Sequence, residues 1–338
     1  MNTKKVESVK QLLNQSKKIV IIPHRNPDGD AMGSCLGLYH ILNQLGHSVQ
    51  VVSPNEYPDF LAWMPSAEKV LVYESNTNES KRVLKEAEVI FTLDFNALHR
   101  TGVMGDFLKE LNVPFVMIDH HEKPDDYATV TYSDTQISST CEMVYLFAQA
   151  LGWNDLMDKT VGTCLYTGMM TDTGSFKYAS TTASTHRIVA ELKDLGVETA
   201  TVHHLLFDNN SPNRLQILGQ ALQNLKLLPQ YKTSYISLSQ DELNKYNYKK
   251  GDTEGIVNYG LSIKDIIFTA FFSENKEEGI IKISFRSIGD FDVNQFARNY
   301  FEGGGHKNAA GGKSALSLQE TVNKFETILA ENYTINEK

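Results

Sequence analysis

The chain has 338 residues, enough for two domains. With 41% hydrophobic and 22% charged residues, cores of ordinary size are allowed, and no apolar run reaches the roughly 18 residues that span a bilayer. A net charge of −9 argues against a long phosphate-tracking groove and leaves short nucleotides open. The N-terminus, Met1-Asn2-Thr3-Lys4-Lys5, leads into a polar, helix-like segment instead of a secretory apolar core, so a cytoplasmic location is expected. Cys35, Cys141 and Cys164 lie far apart in apolar contexts and read as buried free thiols.

The first signal in chain order is the β-branched run Ile19-Val20-Ile21-Ile22, a buried strand, followed by Pro23-His24-Arg25-Asn26-Pro27-Asp28-Gly29-Asp30. Pro27 and Gly29 mark a tight turn, and an apolar-periodic helix follows through Leu36, Leu38, Ile41, Leu42 and Leu45. Ser48–Ser53 and Lys69–Tyr73 read as strands, and 80–87 as a polar helix. Glu88–Asp94 is a buried strand ending in a carboxylate, 100–111 reads as helical, and 113–118 is a strand running into Asp119-His120-His121. Helices are expected over Thr140–Leu151 and Asp158–Met170, the second ending at Thr171-Asp172-Thr173-Gly174. Strands alternating with helices imply βαβ units and a mostly parallel sheet.

Helices are expected again over Thr182–Leu195 and Pro212–Leu228, the latter with Ser211 as cap and Pro212 at its first position. Strands over Tyr235–Leu238, Asp265–Ser273 and Gly279–Ser287, and helices over Asp292–Tyr300 and Leu316–Asn332, then read as a smaller α/β domain. The expected division is 1–190 for a catalytic domain, 191–228 for a helical linker and 229–338 for a substrate-binding domain.

Three strands thus end in similar chemistry: His24, Asp28 and Asp30; Asp94; and Asp119-His120-His121. Asp172 follows a helix in a glycine-containing turn. Strand ends of a parallel sheet lie along one edge, where open α/β sheets place their sites. So many imidazole and carboxylate donors exceed the needs of one ion. They suit two ions sharing a carboxylate, roughly 3.5–4 Å apart, as in phosphoryl transfer.

This ordered set, His24-Arg25-Asn26-Pro27-Asp28-Gly29-Asp30-Ala31-Met32-Gly33-Ser34, Asp94, Asp119-His120-His121 and Asp172, resembles the four motifs of the DHH phosphoesterase superfamily. The stretch Phe301-Glu302-Gly303-Gly304-Gly305-His306-Lys307-Asn308-Ala309-Ala310-Gly311 resembles the glycine-rich motif of the DHH-associated C-terminal domain, and Glu254–Asn258 and Ser284–Ser287 resemble further segments of it. Within the superfamily the chain looks most like small oligoribonucleases that also act as 3′-phosphoadenosine 5′-phosphate (PAP) phosphatases.

The resemblance implies a binuclear Mn²⁺ centre, with His24 and Asp28 on one ion, Asp30, His120 and Asp172 on the other, and Asp94 bridging. Coordination preference alone leaves Co²⁺, Fe²⁺, Zn²⁺ or Mg²⁺ open. It further implies that His121 faces the substrate phosphate, that Asp119 orients a neighbouring imidazole, and that the C-terminal domain holds the nucleotide across a cleft from the metals. The implied reaction is hydrolysis of short RNA oligomers, about two to five nucleotides long, to nucleoside 5′-monophosphates by a two-metal-activated hydroxide. The alternatives are cyclic or linear dinucleotides, pyrophosphate or polyphosphate on the same site. A homodimer is a further expectation, with no membrane or long-duplex partner. Physically, Gly303, Gly304 and Gly305 allow backbone N–H groups close to an anion, with His306 and Lys307 adding donors and Arg286 offering a planar fork. Arg100 is a candidate substrate contact beside a helix-capping role. His40, His47, His99, His186, His203 and His204 read as surface or packing residues, and Glu142 as a first-turn acid near a cap.

Overall fold

The central strands of the N-terminal half are apolar on both faces, and the fold uses both. In the computed structural model, which describes residues 2–332, strand β1 (Lys18–Ile22) sends Ile19 and Ile21 into one core and Val20 and Ile22 into another. Such continuous runs are the mark of a parallel sheet covered on both sides. The chain divides into two compact units, Met1–Asn209 and Asn210–Lys338.

In the first unit, α1 (Thr3–Leu12) precedes β1, and α2 (Gly29–Gln44), β2 (Ser48–Ser53) and β3 (Leu71–Val72) follow it. Next come α3 (Thr77–Glu86), β4 (Val89–Leu93), α4 (Met104–Lys109), β5 (Phe115–Asp119) and β6 (Val130–Ser133). Helices α5 (Thr140–Leu151), α6 (Lys159–Asp172), α7 (Ala183–Asp194) and α8 (Thr199–Phe207) complete it. The sheet order is β3-β2-β1-β4-β5-β6, and every neighbouring pair is parallel. The order reverses between β1 and β4, the switch point at which open α/β sheets leave a crevice. Helices α2 and α6 approach closely because Gly33 and Gly168 carry no Cβ: one on Gly33 would stand 2.6 Å from the Cys164 carbonyl oxygen, and one on Gly168 2.9 Å from Asp30 Cα. All three cysteines are buried and free.

The second unit starts with α9 (Pro212–Gln223), β7 (Lys226–Leu228), β8 (Thr233–Leu238), α10 (Gln240–Lys245) and α11 (Ile256–Leu261). It ends with β9 (Phe268–Asn275), β10 (Ile280–Ser287), α12 (Val293–Tyr300), β11 (Gly304–His306), β12 (Ala309–Ser314) and α13 (Leu318–Asn332). The sheet runs β11-β12-β10-β9-β8-β7 and is antiparallel except between β8 and β9. One face packs Phe268, Phe272 and Phe285 against Phe296 of α12 and Phe325 of α13, and the other packs Ile236 and Phe271 under α9 and α11.

Several elements depart from the sequence reading. The helix expected over 100–111 is cut by Gly102 at φ +62°, leaving a 3₁₀ turn, Leu98–Thr101, and the short α4. The strand expected over Lys69–Tyr73 shrinks to β3, because Ala67–Lys69 forms a 3₁₀ turn. The helix expected to reach Leu228 ends at Gln223, and residues 226–228 pair with β8 as an edge strand. No helix among the described residues is long and apolar enough to cross a membrane.

Candidate metal centre

The stretch after β1 folds as the tight turn its sequence announces. Asn26 sits at φ +57°, a strained backbone for a non-glycine residue. Buried Asn55 holds it there reciprocally: the Asn26 N–H donates to Asn55 Oδ1 at 2.7 Å, and Asn55 Nδ2 donates to Asn26 Oδ1 at 2.9 Å. Asp28 then caps α2, its Oδ1 accepting from the N–H groups of Asp30 and Ala31. Its Oδ2 is left facing His24 Nε2 at 4.0 Å.

Each imidazole is oriented by its other nitrogen, as metal-binding histidines are. His24 Nδ1–H donates to the Arg25 carbonyl at 2.9 Å, and His120 Nδ1 pairs with the Ile137 carbonyl at 3.3 Å. His24 Nε2 lies 3.5 Å from Asp94 Oδ2. His120 Nε2 lies 3.5 Å from Asp94 Oδ1, 3.6 Å from Asp172 Oδ2 and 3.9 Å from Asp30 Oδ2. His24, Asp28 and Asp94 therefore form one group of convergent donors, and Asp30, His120 and Asp172 a second, the ligand atoms of each within 4.8 Å of one another. Asp94, at φ +65° just past β4, turns one oxygen to each group.

Asp119 and His121 form a third cluster with Asp94. His121 Nδ1–H donates to Asp119 Oδ1 at 2.7 Å, while the fully buried Asp119 Oδ2 has no hydrogen-bond partner. Two residues that sequence reasoning left aside also reach the site. Thr140 Oγ1 donates to Asp94 Oδ1 at 3.0 Å, and the N–H groups of Thr140 and Cys141 donate to the two oxygens of Asp30 at 2.6 and 2.9 Å. Glu142 is not merely a first-turn acid: its Oε2 accepts from Ser138 at 2.5 Å and from Thr185 at 2.8 Å, tying the start of α5 to α7.

The electrostatics follow from crowding. Burial, Asp94 and Asp172 push Asp30 well above the usual carboxylate range, and burial pushes Asp172 up to about 6. Burial acts against a charged Asp94, yet the His120 and His24 imidazoles hold it well below that range. Burial likewise opposes a charged His24, but the Asp94 hydrogen bond and the Asp28 charge override it and raise His24 to about 9. His120 is raised in the same way, by Asp94 and Asp172. Four carboxylates around two imidazoles, with Asp94 presenting one oxygen to each group, fit bound divalent cations.

Arg100 is exposed in the first unit, where its carbonyl accepts from the Arg25 N–H. In the second unit, Arg286 of β10 and His306 of β11 both stand opposite Ala309 of β12, which puts the three in one row across a sheet face. Gly303, Gly304 and Gly305 build the β11–β12 hairpin. A Cβ on Gly303 would meet the Gly311 carbonyl at 2.0 Å, and one on Gly305 the Ala309 carbonyl at 2.5 Å. The Gly305 N–H donates to Asn294 Oδ1 at 3.0 Å, and the Gly303 N–H to the Ala297 carbonyl at 3.3 Å. These two donors are thus spent inside the unit, and close backbone packing accounts for Gly303 and Gly305.

Carboxylates and imidazoles converging at the switch point of a doubly covered parallel sheet suit a metal-dependent hydrolase of phosphate esters, the class to which the family matches assign the chain. The chain belongs to the DHH family: the model of the DHH family N-terminal domain matches residues 18–169, and that of the DHHA1 domain matches 229–331. It is 27% identical over 319 residues to the bifunctional oligoribonuclease and PAP phosphatase NrnA of Thermus thermophilus, covering 94% of this chain and 90% of that one. The protein of the same name from Bacillus subtilis is 27% identical over 296 residues, covering 87% and 88%. A crystal structure of an exopolyphosphatase-related protein from Bacteroides fragilis superposes with a TM-score of 0.93 at 40% identity, covering 98% of this chain and 96% of that one.

Proposed function

We propose that the chain hydrolyses short RNA oligomers to nucleoside 5′-monophosphates and removes the 3′-phosphate of PAP, using a pair of divalent ions, Mn²⁺ foremost. The observation carrying this reading is the near full-length match to two relatives bearing those two activities in their names. His24, Asp28 and Asp94 would hold one ion, and Asp30, His120 and Asp172 the other, with Asp94 shared. Bound there, divalent ions supply Lewis-acid activation of water and neutralise phosphate charge. Asp119 holds the ring of His121 through Nδ1, and His121 so oriented would face a phosphate or leaving-group oxygen. Arg286 and His306, in one row of the second sheet, would bind the anionic part of the nucleotide, Arg286 through its planar fork. Lys307 pairs with Asp290 at 2.9 Å and takes no part in this reading.

The exopolyphosphatase-related label of the Bacteroides fragilis relative favours inorganic polyphosphate as a second substrate class. The test is turnover with Mn²⁺ on an RNA ladder from dimer to pentamer, PAP, cyclic di-AMP, pyrophosphate and polyphosphate side by side. Fastest loss of the shortest RNAs together with phosphate release from PAP is the expected result. Preference for polyphosphate, pyrophosphate or the cyclic dinucleotide would overturn the substrate assignment and leave the centre standing.

A further inference from the structure

The first turn of an α-helix has N–H groups with no partner inside the helix, and these are usually met by the residue just before it. In α5 the local cap does only part of this: Ser139 Oγ accepts from the Glu142 N–H at 3.0 Å. The N–H groups of Thr140 and Cys141 are met by Asp30, from α2. The same turn supplies the Thr140 hydroxyl to Asp94, and the residue two before its cap supplies the carbonyl that pairs with His120 Nδ1. Residues 137–141 therefore touch one acid of each group and the imidazole of the second.

Thr140 stands out within this stretch. Its side chain is fully buried, and its hydroxyl donates to the one Asp94 oxygen that faces His120, while the other oxygen faces His24. A carboxylate shared between two donor groups must keep its plane fixed to serve both. Rotation about its Cβ–Cγ bond is cheap unless a third contact opposes it. The turn that carries Thr140 is itself locked, because buried Glu142 accepts from Ser138 and Thr185 on either side. We propose that Thr140 is a positioning residue of the metal centre, its hydroxyl fixing the rotation of the Asp94 carboxylate so that one oxygen serves each ion. This rests on the reading that the two donor groups hold a pair of ions.

The experiment compares wild type, Thr140→Val and Thr140→Ser. Stoichiometry and affinity for Mn²⁺ are measured by equilibrium dialysis, exchange coupling between the ions by low-temperature electron paramagnetic resonance, and kcat and KM on an RNA dimer. Thr140→Val is expected to bind the second equivalent about 10–100-fold more weakly, with weaker exchange coupling and a lower kcat at little-changed KM. Thr140→Ser, which keeps the donor, is expected to restore all three. Should circular dichroism show Thr140→Val unfolded, Thr140→Ala carries the same readings. Unchanged affinity and coupling in the hydroxyl-free variant would overturn the proposal, as would a serine variant that behaves like the valine one. A wild-type protein that binds no ion pair would instead overturn the reading beneath it.

Discussion

Replacing Asp94 by Asn keeps the shape of the side chain and removes the one charge shared by both imidazoles. In the metal-free protein His24 is raised from 6.5 to about 9, with the Asp94 hydrogen bond as the largest favourable cause. A rise of that size corresponds to roughly 3 kcal/mol of preference for the charged ring. Asp28 and the Arg25 carbonyl supply the remainder, and His120 leans on Asp94 as well. Loss of Asp94 should therefore destabilise the metal-free protein by up to about 3 kcal/mol near pH 6, in the direction expected of breaking a buried pair by removing one partner. An imidazole whose folded pKa lies above its unfolded one contributes stability that is complete below about 6.5 and disappears as pH rises through 9. The gap between wild type and Asp94→Asn should narrow over that window. Urea unfolding of EDTA-treated protein at several pH values reads it directly. The same titration with Mn²⁺ should stabilise wild type and leave the variant unmoved, since an ion that binds only the folded state adds about 2.7 kcal/mol at a hundredfold excess over its Kd. A gap constant from pH 6 to 9, or an equal Mn²⁺ effect on both proteins, would refute the reasoning.

Three further outcomes are expected. Because His24 is held protonated up to about 9 when metal-free, Mn²⁺ uptake should release protons and tighten from pH 6.5 toward 9, which calorimetry in buffers of different ionisation heat would detect. Asp119→Asn, which weakens the partner of His121 Nδ1, should lower kcat about 10–100-fold with two Mn²⁺ still bound by dialysis; unchanged turnover would remove Asp119 from the mechanism. Gly168→Ala sets a Cβ 2.2 Å from Cys141 Sγ and 2.7 Å from Asp30 Oδ1, so the melting temperature should fall by an amount corresponding to about 1–3 kcal/mol and Mn²⁺ affinity should drop with it; a stabilised variant would show that α2 and α6 have room to part.

The parallel sheet and the donors at its edge were legible because burial on both faces and strand-end chemistry are local patterns. Ile19–Ile22 and Val89–Leu93 read as strands without help, and His24, Asp94 and His120 sit at or just past strand ends. The β11–β12 hairpin was not legible as strand, since its glycines and alanines have little intrinsic β preference and pair because β10 offers an edge. Strand β6 has four residues and follows a polar loop, too short for alternation to stand out. Thr140, Asn55 and Glu142 were invisible as site residues for a different reason. Their partners are 46, 29 and 43 positions away, for Asp94, Asn26 and Thr185 respectively, and no local motif encodes a hydrogen bond made only after the chain has folded.

The capping of α5 by Asp30 carries a consequence for descent. An acid kept only for its place in a site can be discarded once that site is no longer wanted, often with a gain in stability. Here Asp30 also closes the open end of a helix in another part of the first unit. A lineage that abandoned hydrolysis would still be held to an acid at position 30 by architecture alone. In such a lineage a surviving Asp30 would be poor testimony of activity, whereas His24 or Asp172, which cap no helix, would be free to drift.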